Sequence, residues 1–162
     1  MTQHSIEEER TSAYRESARA VAVVLIGFTL QAVSVLSTSD QSGALATPGF
    51  TAFKERLGAT TDELGFIAAA GIWGESLALA DEQHLDAESV LRRLNPNRSR
   101  IDIKILRLSL DYLMKDYRTA VFRIAQTLLE KKIMNGVECG QIILAHEPVP
   151  KKNSVTPFSQ PL

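Results

Sequence analysis

The chain has 162 residues, 44% hydrophobic and 23% charged, with a formal net charge of -1, a pI near 6.3 and a mean hydropathy of -0.04. These values fit one soluble globular domain with a core of its own; they exclude a fibrous or wholly disordered chain and give no basic field to draw in a nucleic-acid backbone. The one cysteine, Cys139, excludes an internal disulfide and a cysteine-rich metal cage, and suits a reducing, cytoplasmic setting.

The opening MTQHSIEEER is acidic and polar, unlike the basic start of a secretory or transit peptide, so no cleaved leader is expected and residues 1–10 read as an extension. IEEERTSAYRESARAVAVVLIGF then predicts a helix entering the core, with Glu7, Glu8 and Glu9 in its first turns and Gly27 near its end. Its apolar run from Ala20 to Leu30 is about eleven residues, against the roughly 20 of a membrane span, so a buried helix is expected and a membrane location is not. LQAVSVLST, residues 30–38, alternates imperfectly and is rich in β-branched residues, which predicts a strand. SDQSGALATPGF has the glycine, proline and serine content of a loop.

A second helix is predicted through TTDELGFIAAAGIWGESLALA, with Thr60 or Thr61 as its N-cap and Asp62 and Glu63 in its first turn. Ala68, Ala69, Ala70, Gly71 and Gly74 leave one side smooth. Glycine inside a helix costs about 1 kcal/mol relative to alanine, so Gly71 and Gly74 imply close packing or a local break. DAESVLRRL reads as a short helix that Pro96 ends. From Arg100 to Met134, Leu106, Leu110, Leu113, Tyr117, Val121, Ile124 and Leu128 follow helical spacing, with a break expected near Asp116 and Asp116 capping the second piece. Asn135 and Gly136 fit a helix C-terminus, VECGQIILA a short last helix, and residues 146–162 a proline-rich disordered tail. The expected fold is therefore mainly α, an α+β domain over residues 11–145 with a small β element near residues 30–38.

The turn that holds Arg15, Glu16 and Arg19 sets two like charges four residues apart on one helix face. Read alone, it is a solvated first turn with an ordinary Glu16–Arg19 surface pair. Three stretches add a second reading. AYRESARAVAVVLIGFTLQAVSVL, AAAGIWGESL and LLEKKIMNGVECGQII, in that order, resemble the zinc helix and strand, the AG-x-x-x-E helix and the closing segment of the peptidase domain of FtsH-type ATP-dependent zinc metalloproteases. In that family the positions of Arg15 and Arg19 hold the histidines of His-Glu-x-x-His, and Glu16 stands where the general base stands. Histidines at i and i+4 aim two ring nitrogens at one metal ion while the glutamate activates its bound water. Arginine offers five donors and no lone pair, so this zinc site is expected to be absent, no cofactor is expected, and Glu16 is a vestigial base.

The resemblance implies a third ligand position at Asp102, in SRIDIKILR, and an ion-pair network of Arg15, Glu16, Arg19, Glu75 and Asp102 in which guanidinium takes the place of the metal. It implies a degenerate metallopeptidase homologue serving as a binding or regulatory module, with a protein or peptide partner, an ATPase partner in trans, and self-association of the kind that gives the family its hexameric rings. Two alternatives stand beside it. One is an active zinc endopeptidase with an unusual ligand set drawn from Glu16, Asp102, Glu75 or His84; the other is a structural or membrane-peripheral helical protein. His4, His84 and His146 show no ligand-like spacing, Trp73 reads as core or interface, GALATPG lacks the phosphate-loop pattern, and the basic residues of the long helices scatter too widely for a nucleic-acid groove.

Overall fold

A computed structural model describes residues 3–37, 48–79, 97 and 100–147. Along the chain it places α1 (Gln3–Leu25), β1 (Thr29–Ser37), β2 (Pro48–Lys54), α2 (Thr61–Leu79), α3 (Arg100–Asp116), α4 (Arg118–Lys131), β3 (Ile133–Asn135) and α5 (Gly136–Ala145). The fold is mainly helical, with one antiparallel sheet in the order β2-β1-β3. The expected short helix near residues 86–94, His84 and the tail from residue 148 lie outside the described residues.

α1 starts earlier than its charge pattern implies. It is already helical at Gln3, so Glu7, Glu8 and Glu9 sit beyond its first turn, and it runs unbroken across the expected domain boundary at residue 11. Glu9 pairs with Lys132 just past α4, which ties this end of the helix to the body of the protein. The other end closes as expected at Gly27, whose φ of 81° only glycine adopts without cost. The amides of Gly27 and Phe28 bond back to the carbonyls of Val24 and Val23, the reciprocal pattern of a Schellman motif.

β1 is the central strand, and Val33, Ser34 and Val35 are buried in succession. That explains the imperfect alternation, because both faces of the strand are covered. The stretch read as a loop through Phe50 ends instead in β2, which pairs Phe53 with Leu30 and Thr51 with Val33. Pro48 and Gly49 disguise it. Proline is tolerated there because the strand lies at a sheet edge, and Gly49, at φ 85°, passes so close to α1 that an added Cβ would stand 2.4 Å from Ser12 Oγ.

α2 begins with a capping box. Glu63 donates its amide to Thr60 Oγ1 at 3.3 Å, and its side chain accepts from the Thr60 amide at 2.8 Å, so Thr60 is the cap. The helix lies against α1, and Gly74 marks the closest approach. A Cβ on Gly74 would lie 2.3 Å from the Tyr14 carbonyl oxygen. The interior glycines thus answer to packing, as their cost requires.

The break in the long helical signal comes one residue later than expected. Asp116 ends α3, and Tyr117 stands at the N-cap of α4 without a side-chain cap bond, so Asp116 is not the cap. The joint is held by burial of Tyr117 beside Val121, Ile124 and Leu128. Asn135 and Gly136 also change role. α4 has already closed at Lys132, in the left-handed conformation at φ 69°, and the chain then pairs Met134 with Val33. Asn135 caps the start of α5, its Oδ1 accepting from the Glu138 amide at 2.8 Å. The last helix runs to Ala145, and the His146 amide at its C-cap bonds back to the Ile143 carbonyl.

Cys139 is buried in α5, and its thiol is pushed up from 9.0 to about 12, first by burial and then by the Glu138 charge. A raised folded-state pKa contributes stability that is complete below the unfolded value and is lost as pH climbs through the folded one, here between about 9 and about 12. At pH 8 the native thiol is expected to react with a disulfide reagent at least about a hundredfold more slowly than in urea, because attack needs exposed thiolate. Stopped-flow absorbance reads both rates; equal rates would place Cys139 at the surface.

Candidate functional site

Arg15, Glu16 and Arg19 lie where α1 faces both α2 and β2. Glu16 is wholly buried. Its carboxylate accepts from Arg15 Nε at 2.8 Å, from Arg19 Nη1 at 3.0 and 3.3 Å, and from the Thr51 hydroxyl of β2 at 2.8 Å. A solvated first turn is excluded by that burial. Arg15 spans two carboxylates: its Nη1 donates to Glu75 of α2 at 2.9 Å, while its Nη2 reaches Ser12 Oγ at 3.3 Å.

The backbone of the neighbours makes room for these side chains. Gly71 faces the arginines across the helix contact, and a Cβ there would come within 2.6 Å of Arg19 Nε and 3.2 Å of Arg15 Cγ. Gly49 does the same from the sheet side, 3.1 Å from Glu16 Cγ. The smooth side of α2 therefore serves the charged turn as well as the packing.

Burial of Arg15 would by itself disfavour its charge, but the hydrogen bonds to Glu16 and Glu75 and their negative charges outweigh it, and the guanidinium pKa is raised. Two cations and two anions balance at this place. Exposure grades outward from Glu16, at 0%, through Arg15 at 14% and Glu75 at 17% to Arg19 at 34%. The cluster is a closed ion-pair knot with one flank open to water.

Four of the five residues expected in the network meet here. Asp102, exposed in the first turn of α3, is not among the hydrogen-bond partners of the Glu16 carboxylate. The carboxylate that the two guanidinium groups enclose is Glu16 itself. Thr51, Ser12 and Gly49 join the site without having been singled out in the sequence. Thr51 and Gly49 belong to the strand that Pro48 and Gly49 conceal, and Ser12 has no sequence signal beyond being one helical turn before Arg15.

Zinc does not fit the residues present. The inward positions at i and i+4 of α1 carry donors that stay protonated, and the oxygens of Glu16 are already occupied by three side chains. Among the described residues, no group of three or more His, Cys, Asp or Glu side chains is placed to hold a metal ion. Nor, among them, is any helix long and apolar enough to cross a membrane. No model of a protein family matches the chain, and a search of curated proteins finds no match.

Proposed function

We propose that this chain is a catalytically retired relative of the FtsH-type zinc peptidase domain, kept as a cytoplasmic binding or regulatory module for a protein or peptide partner, with any ATPase supplied in trans. The observation that supports the reading is a meeting in space. Arg15 and Glu75, sixty positions apart, come from the two helices that resemble the zinc helix and the AG-x-x-x-E helix, and they join in one ion pair around Glu16. A general base works when a proton is within its reach and its lone pairs are free. Here guanidinium groups and a hydroxyl take them. The arginines fill the ligand positions with fixed positive charge, which holds the two helices together in place of a metal.

Zinc content of the tag-free protein, by elemental mass spectrometry, tests this together with an Arg15→His, Arg19→His double variant. The expected result is metal-free wild type without casein cleavage, and a variant that takes up about one zinc per chain. Adding Glu75→Ala or Asp102→Ala to the double variant identifies the third ligand, and loss of zinc with the first points to the carboxylate already at the site. Stoichiometric zinc in the wild type, or chelator-sensitive proteolysis, overturns the proposal. A double variant that folds but takes up no zinc removes its structural basis.

A further inference from the structure

We draw no further inference here: the strongest candidate, the exposed apolar stripe of Ile105, Leu108 and Tyr112 along the outer side of α3, carries none because nothing in the structure shows what covers it.

Discussion

Glu16→Ala is expected to lower unfolding stability by about 3 kcal/mol, a fall in melting temperature of about 10 °C for a chain of this size. The loss does not come from a missing contact alone. Truncation leaves two guanidinium groups side by side on one helix turn, held there by α2, with the anion that balanced them gone. Their partial exposure, 14% and 34%, keeps the figure at the lower end of what an uncompensated buried charge costs, since Arg19 can swing outward into water. Glu16→Gln keeps the shape and loses the charge, and it also turns an amide towards donors, so about 2 kcal/mol is expected. Glu75→Gln, at a carboxylate 17% exposed with one ion-pair partner, is expected to cost about 1 kcal/mol. Urea unfolding of the three variants orders them. If Glu16→Ala costs no more than Glu75→Gln, the buried carboxylate does not hold the site together.

The second large effect has a sign that local propensity gets wrong. Alanine is favoured over glycine inside a helix by about 1 kcal/mol, so Gly74→Ala would stabilise α2 in isolation. In the folded protein the new methyl meets the backbone of α1, with the Tyr14 carbonyl oxygen at 2.3 Å, the Tyr14 carbonyl carbon at 2.9 Å and Ala18 Cβ at 2.8 Å. Backbone does not step aside. The helices must part, and a net loss of about 2 to 3 kcal/mol is expected, as for an overpacked core. Gly71→Ala is the informative comparison. Its nearest obstacle is Arg19 Nε at 2.6 Å, part of a side chain that can rotate, so its cost is smaller and is carried through the ion pairs. Thermal melts decide the order, and a Gly74→Ala variant that melts above wild type refutes the close helix contact.

What the sequence disclosed follows from the range over which its signals act. α1, α2, the two long helices and the last helix were legible because burial of one face repeats every three or four residues and caps sit beside what they cap, as Thr60 does with Glu63. β2 was not, because Pro48 and Gly49 carry turn chemistry wherever they occur and only a sheet edge makes them tolerable in a strand. The same limit governs the site. Arg15, Glu16 and Arg19 are neighbours on any helix, so their proximity could be read directly. Glu75 was reached through resemblance, and Thr51 through neither route, since a threonine in an unrecognised strand offers nothing to single it out. Asn135 was misassigned for a related reason: asparagine followed by glycine ends helices often, yet here the left-handed turn had already fallen at Lys132.

The sheet has a consequence for the order in which the molecule can assemble. β1 lies in the middle, but its two neighbours arrive at very different times. β2 follows after a short connection, whereas β3 pairs Ser34 with Ile133, and the Ser34 hydroxyl reaches Lys132, 98 positions along the chain. A chain growing from its N-terminus therefore holds the edge of β1 around Ser34 unpaired until α2, α3 and α4 have been made, a long-range closure of the kind that slows folding and leaves a strand edge open to other chains. The three residues of β3 act as the latch on that edge, and any fragment ending before Ile133 keeps it open permanently.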